Sequence, residues 1–276
     1  MPASAPTTPV DPPVGVPAHR TADRIADRIT GRPSLRRSVT LFRGFLVEQT
    51  DPDHFYSLLA RDTVDQIRRY AAVRDRLVLD IGGGPGYFAE AFTAAGARYV
   101  GLDVDHAELL ARRAAVPLAV VGDARRLPLG SGSVDLAVSS NVLEHLDRPW
   151  AMADEMVRVT RPGGLIYLSF TPWLSPWGGH ETSPWHYLGG ARARRRYARR
   201  YGREPKNRWG ETLYGYSVRA ALRWARRHPG VAVVEALPRY HPWWAKGVVA
   251  VPGVREIAAW NLVLVLRRRA GGTDRP

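Results

Sequence analysis

Three groups of residues have types and spacings that could do chemistry. The first is the run DIGGGPG, in which Asp80 precedes Gly82, Gly83, Gly84 and Gly86, directly behind a short apolar stretch. Glycine lets a backbone take left-handed dihedrals and approach a ligand closely, and a helix opening behind such a turn offers free N–H groups. The run predicts a cradle for a small molecule. The second group is two acids, Asp103 ending VGLD and Asp123 in VVGD. The third is rich in histidine: His145 beside Glu144 in NVLEH, then His180, Glu181 and His186 within the seven residues HETSPWH. These offer general bases and hydrogen-bonding groups toward a substrate.

Spacing narrows the ligand of the glycine run. A dinucleotide fingerprint needs a third glycine three positions after the second. Counted from Gly82 and Gly84, that position is Tyr87; counted from Gly84 and Gly86, it falls at Ala89 or Glu90. What remains is DxGxGxG. Asp103 follows Gly86 by seventeen residues, where a carboxylate can accept hydrogen bonds from both hydroxyls of a ribose. Asp123 is placed to meet an adenine amino group. The histidine cluster lacks the helical spacing of HExxH, so no metal site is expected from it.

The elements that must hold these residues are legible in outline. Residues 1–33, rich in Pro, Ala and Thr, read as a disordered tail. Residues 34–72 read as a helical lead-in, with Phe55, Leu58, Leu59, Val64, Ile67 and Ala71 near helical spacing and Asp51 or Asp53 as N-cap. Over 73–170, strands at 77–81, 98–103, 117–121, 134–139 and 164–170 alternate with helical patterns at 86–95, 106–114 and 149–160. That alternation, with near-continuous apolar strands, predicts an α/β fold with a mostly parallel sheet covered on both faces. Two further strands, 231–237 and 260–267, fall within a C-terminal segment 230–268, followed by a short tail over 269–276. Between them and the core, 171–229 holds Trp173, Trp177, Trp185, Trp209 and Trp224 and the arginine-rich ARARRRYARRYGR. It reads as an insertion that caps the carboxyl edge of the sheet.

Composition sets the limits. The chain has no cysteine, which excludes disulfides, thiolate metal sites and cysteine nucleophiles. No apolar run reaches the roughly 18 residues of a membrane span, so a soluble, cytoplasmic protein is expected. The formal charge is +14, almost wholly from arginine, since Lys206 and Lys246 are the only lysines. Such a balance favours an anionic partner. Arg192, Arg195, Arg196, Arg199 and Arg203 fall close to one helical face, suited to phosphate or to the inner face of an anionic membrane; Tyr197 and Tyr201 are expected to pack inward.

The stretch 77–170 resembles the class I S-adenosylmethionine-dependent methyltransferases, in the type 11-like branch. The residues that carry the likeness are DIGGGPG, VGLD, GDARRLPLGSGSVDL, NVLEH and the RPGG at 161–164, about a third of the chain. The insertion's SPWGGHETSPWHYLGG is similar to a group of actinobacterial methyltransferases. The resemblance implies a Rossmann-like seven-stranded sheet whose last strand runs antiparallel, with the cap inserted between strands 5 and 6. It implies S-adenosyl-L-methionine as cofactor and S-adenosyl-L-homocysteine as product. Gly82, Gly83, Gly84 and Gly86, with Asp80, would lie at the methionine part, Asp103 and Val104 at the ribose, Asp123 and Ala124 at the adenine. Asn141 would face the methionine and sulfonium side.

A sulfonium methyl is already activated for displacement, so the protein must align an acceptor and exclude water. The candidate bases are His145, His180, Glu181 and His186, with His180 foremost. Enzymes that methylate exocyclic amines of nucleic acids carry an Asn/Asp-Pro-Pro-aromatic segment where this chain reads SSNVLEH, so a nucleic-acid acceptor is disfavoured. The acceptor expected is a hydroxylated small molecule, a glycan or a lipid-linked envelope precursor, methylated on oxygen. N-methylation of a small molecule or RNA, and a catalytically silent cofactor-binding protein, are the alternatives.

Overall fold

The structure, a computed structural model, describes residues 33–48, 50–111 and 118–271. Apart from Pro33 the expected N-terminal tail lies outside these residues, as do 272–276 of the C-terminal one. The lead-in forms two helices. Helix α1 (Leu35–Leu46) begins at Ser34, whose hydroxyl accepts the Arg37 N–H at 3.2 Å. Helix α2 (Pro52–Arg68) is capped by Asp51, which accepts the His54 N–H at 3.0 Å, with Pro52 in the first turn where its missing N–H costs nothing. Its inward face carries Phe55, Leu59, Val64 and Ile67, as the helical spacing predicts.

Seven strands make one sheet: β1 (Leu77–Ile81), β2 (Arg98–Asp103), β3 (Ala119–Val121), β4 (Val134–Ser140), β5 (Thr160–Phe170), β6 (Val231–Pro238) and β7 (Leu262–Arg268). Their order is β3-β2-β1-β4-β5-β7-β6, and β7 alone runs antiparallel to its neighbours. Helices α3 (Tyr87–Ala94), α4 (His106–Ala111), α5 (Pro149–Val159), α6 (Gly190–Tyr201), α7 (Val218–Arg227) and α8 (Val254–Ala258) complete the fold. One sheet face packs Leu79, Ile81 and Leu102 against Met152 and Met156 of α5 and Leu222 of α7. The other packs Val78, Tyr99 and Tyr167 against Val64 and Ile67 of α2 and Phe88 and Phe92 of α3. This is the expected three-layer Rossmann-like architecture. The central strands are buried on both faces, which is why their sequences are apolar runs without alternation.

Strand order reverses at β1, whose neighbours β2 and β4 lie on opposite sides. In open α/β sheets ligands bind in the crevice at the carboxyl ends of the strands beside such a reversal.

Three sequence readings change. Strand β5 starts at Thr160, so RPGG lies inside it; a Cβ on Gly164 would meet the Asp135 carbonyl at 2.8 Å, so glycine permits the close pairing there. The expected insertion 171–229 divides, because α7 belongs to the core: Val218, Ala221, Leu222 and Ala225 are buried against the sheet. Trp224 goes with it, stacked on Trp150 at 5.9 Å with its Nε1 donating to Asp154. The cap proper is therefore 171–217.

Candidate functional site

The glycine loop leaves β1 and enters α3. Gly82 and Gly83 donate their N–H groups to the Leu102 carbonyl, at 2.7 and 3.2 Å, tying the loop to β2. Gly82, Gly84 and Gly86 have φ of 74°, 48° and 89°, the left-handed region that favours glycine. A Cβ at Gly82 would come within 2.3 Å of Val142, whereas at Gly84 it would meet nothing within 4 Å. The loop is thus closed on its Val142 side and open above Gly84, the arrangement a ligand needs to lie against backbone. The cradle fits the cofactor implied by the resemblance.

Asp103, at the end of β2, accepts the Gly84 N–H at 3.1 Å and the Asp105 N–H at 3.0 Å. It is partly accessible, and Val104 beside it is 74% exposed, so an acid and an apolar side chain flank the loop where a nucleoside would lie. Asp80 is placed differently from the expectation. It is buried beneath the loop, accepting the Tyr99 hydroxyl at 2.6 Å, and it braces Gly83 from below rather than facing the crevice. Burial pushes its carboxyl up to about 7, with the Asp103 charge adding to the rise and the Tyr99 hydrogen bond opposing it. Asp123 is held by Arg125, whose guanidinium also reaches Asp147. These hydrogen bonds keep the Asp123 carboxyl below its ordinary range. Ala124 packs into the core beside it.

Asn141 follows β4 with φ of 59°. Its side-chain oxygen accepts from Nδ2 of Asn261 at 2.7 Å, and Asn261 is itself buried at the head of β7. Two residues that sequence reasoning passed over therefore sit at this edge of the sheet. Asn261 shows only as a polar residue leading the apolar run LVLVL. Arg239, following β6, is fully buried; its guanidinium donates to Ser140 at 2.8 Å, to Ser169 at 3.0 Å and to Thr63, joining α2, β4 and β5.

Beyond Asn141 a short 3-10 turn, Leu143–His145, presents Glu144 and His145 over the ends of β4 and β5. Glu144 is 1% exposed; its Oε1 accepts the Thr171 N–H at 2.9 Å, while its Oε2 is buried without a partner. Burial raises the Glu144 carboxyl above its ordinary value, with His145 opposing. His145 Nδ1 lies 2.7 Å from the Thr212 carbonyl of the cap, so this nitrogen carries the proton and donates it. From the cap, His180 brings its ring to 5.3 Å from that of His145, centroid to centroid. Its Nε2 is buried without a hydrogen-bond partner. Burial pushes His180 down to about 3, with His145 and His186 adding repulsion, so it is neutral at ordinary pH.

The other two candidate bases do not join this cluster. Glu181 accepts from Asn207 at 3.0 Å. His186 is fully buried inside the cap, its Nε2 3.1 Å from the Ser175 carbonyl and its ring 5.1 Å from that of Trp173. Gly179 backs directly onto it, since a Cβ there would lie 2.5 Å from the His186 Cβ; a Cβ on Gly178 would lie 2.0 Å from the Trp173 carbonyl, so each glycine of GGHET is needed. His186 builds the cap. A wall of aromatic rings joins α1, the cap and the residues before β7, where Phe45 meets Trp177 at 4.9 Å and Trp177 meets Trp260 at 6.5 Å.

Helix α6 ends at Gly202 with φ of 66°, so Arg203 lies beyond the basic face that the sequence suggested. Arg192, Arg195, Arg196, Arg199 and Arg200 instead line a groove of about 600 Å³ with Trp185 and Leu188. Arg196 lies over the Trp185 ring at 3.8 Å. Tyr201 does not pack inward: it is 56% exposed and pairs with Tyr197 at 4.5 Å.

Comparison with known proteins identifies the family and the fold. A family model described as a methyltransferase domain matches residues 79–168. An uncharacterized methyltransferase of Mycolicibacterium gilvum is 51% identical over 249 residues, covering 86% of this chain and 96% of the relative. One from Mycobacteroides abscessus is 49% identical over 251 residues, with the same two coverages. The crystal structure of an S-adenosylmethionine-dependent methyltransferase from Mesorhizobium loti superposes with a TM-score of 0.54 at 21% identity, over 76% of this chain and 98% of that one, and shows the shared fold.

Proposed function

The chain belongs to the methyltransferase family, and on that premise we propose that it moves the methyl group of S-adenosylmethionine to a hydroxyl oxygen of a glycan or lipid-linked acceptor, or of a hydroxylated small molecule. One observation carries the choice of a hydroxyl. Glu144, His145 and His180 converge over the ends of β4 and β5, next to Asn141, with buried acceptor atoms that no other group uses. A hydroxyl must shed its proton as it attacks, and this cluster is the part of the crevice suited to that demand.

S-adenosylmethionine supplies a methyl carbon on a cationic sulfur. The chain's own residues do the rest. The backbone of Gly82–Gly86 admits the methionine part, Asp103 accepts hydrogen bonds from the ribose hydroxyls, and Val104 covers the base. Asn141, fixed by Asn261, orients the reacting end, and the cap with its aromatic wall excludes water.

The acceptor class is supported by the groove on α6. Five arginines around an exposed tryptophan and leucine suit an anionic headgroup or phosphorylated glycan, and the exposed Trp185, Tyr187 and Leu188 are side chains that suit a membrane interface. Among the described residues no helix is long and apolar enough to cross a membrane; the contact proposed is a peripheral one, at the cytoplasmic face.

Incubation of the full chain with methyl-labelled S-adenosylmethionine and cell extract, fractionated into lipid, glycan, small-molecule, nucleic-acid and protein pools, tests the reading. Label is expected in one of the first three pools and is lost with Asp103→Ala and His180→Ala. Label confined to nucleic acid or protein overturns the acceptor assignment. Cofactor binding with no transfer to any pool points to a silent binding protein.

A further inference from the structure

We propose that Glu144, His145 and His180 form a binding site for a divalent first-row transition cation, using one carboxylate oxygen and two imidazole nitrogens. The three residues each offer a ligand atom, and these atoms all lie within 4.8 Å of one another. Among the described residues no hydrogen bond joins the three side chains, and Glu144 Oε2 and His180 Nε2 are both buried without a partner. Two buried polar atoms left without a partner in one cluster are poorly accommodated by protein alone. Ligands bound at about 2.1 Å to a common ion stand roughly 3–4 Å from each other. The cluster is therefore within a small side-chain adjustment of such a set.

The outer contacts are those that ligands require. Metal-bound imidazoles and carboxylates are oriented by hydrogen bonds to their remaining atoms. His145 donates Nδ1–H to the Thr212 carbonyl at 2.7 Å, which leaves Nε2 as its lone-pair nitrogen. Glu144 accepts the Thr171 N–H on Oε1 at 2.9 Å, which leaves Oε2 for the ion. Two nitrogens and one carboxylate suit Zn²⁺, Mn²⁺ or Fe²⁺ better than Mg²⁺ or Ca²⁺, which prefer all-oxygen shells. Three protein ligands leave coordination positions open. No local motif records this set, because it joins residues 144 and 145 to residue 180, outside the spacing of HETSPWH.

The inference deepens the proposed reaction and rests on it for its purpose. A cation here would bind the acceptor hydroxyl oxygen and make it more acidic. Its proton passes to solvent, an oxygen lone pair forms the bond to the methyl carbon, and the carbon–sulfur pair stays on sulfur as S-adenosylhomocysteine leaves.

Cation binding can be measured without any acceptor. The full chain, treated with chelator, is titrated with ZnCl₂ and with MnCl₂ by calorimetry, and crystals soaked in ZnCl₂ are measured at the zinc absorption edge. One ion per chain is expected, with an anomalous peak between the three side chains. His180→Ala and Glu144→Gln should each weaken zinc binding at least tenfold, while S-adenosylmethionine titrations show that both variants remain folded and keep their cofactor affinity. If either variant loses its fold, His180→Asn, close in size to histidine, replaces it. Zinc binding that is absent, or that is indifferent to these substitutions, overturns the site. Cofactor binding without zinc binding sinks only the cation, and zinc binding without cofactor binding sinks only the methyltransfer reading.

Discussion

The imidazole rings of His145 and His180 stand 5.3 Å apart although 35 residues separate them in the chain. One is fixed from the core side by the turn after β4, the other hangs from the cap, and the Thr212 carbonyl ties the two parts together through His145. The cap is thereby part of the site, and its histidines divide into one that faces the crevice and one that holds the cap together.

That division predicts opposite phenotypes for two nearby substitutions. His180→Ala should lower turnover by about 10²–10⁴-fold, because the cluster that helps the acceptor hydroxyl shed its proton loses one of its three members, with little change in melting temperature. His186→Ala removes a buried ring packed on Trp173 and Gly179. It should destabilise by roughly 2–4 kcal/mol, as cavity formation plus a lost hydrogen bond does, and expose residues 171–217 to limited proteolysis. Equal melting temperatures for the two variants would contradict the assignment.

The loop glycines should also separate. Gly82→Ala meets Val142 and a left-handed backbone together, so a fall in stability of roughly 2–4 kcal/mol is expected from strain and overpacking. Gly84→Ala carries about 1–2 kcal/mol from its φ alone, but its methyl group enters the open space above the loop. Calorimetry should find cofactor affinity reduced far more than that modest loss of stability suggests.

Asp103→Ala should weaken S-adenosylmethionine by roughly 1.5–3 kcal/mol, the scale of hydrogen bonds to a charged group. Isothermal titration with the cofactor and with its demethylated product reads this directly. Unchanged affinity would place the ribose elsewhere.

Asp80 makes a pH-dependent contribution to stability. Its folded carboxyl sits at about 7, against 3.8 for the unperturbed group. Between these values the folded chain keeps a proton that the unfolded chain has released, so this contribution is full below about pH 4 and declines as pH rises to about 7. In urea titrations from pH 4.5 to 8, wild type should lose stability relative to Asp80→Asn up to about pH 7 and run parallel to it above. A constant difference across the range would show that Asp80 is ionised throughout.

Charge reversal at Arg195 and Arg199 tests the groove on α6. The full chain should float with vesicles containing anionic lipid and not with zwitterionic ones, and Arg195→Glu with Arg199→Glu should abolish flotation while leaving cofactor affinity intact. Salt should weaken the wild-type interaction, since exposed charges are screened beyond about 10 Å at 0.1 M. Flotation insensitive to both charge reversal and salt would remove the groove from the acceptor argument.

The amino-acid sequence by itself determined the donor side of this protein. The loop and Asp103 lie at the ends of adjacent parallel strands, their chemistry depends on backbone dihedrals and strand ends, and both are written locally as DxGxGxG and VGLD. Buried parallel strands likewise announce themselves as apolar runs, so the sheet was legible to within a few residues. Only the tertiary structure decided the rest. Asp80 reads as one more ligand-facing acid until burial and Tyr99 place it beneath the loop. Trp224 reads as part of the cap until Trp150 and Asp154 claim it for the core. Glu144, His145 and His180 become one site through a contact across 35 residues, and Arg239 draws three hydroxyls together from far greater separations. Pattern reports what neighbours along the chain impose on one another. The cluster of Glu144, His145 and His180 is made of side chains that meet only when the cap packs on the core, and no local period records that meeting.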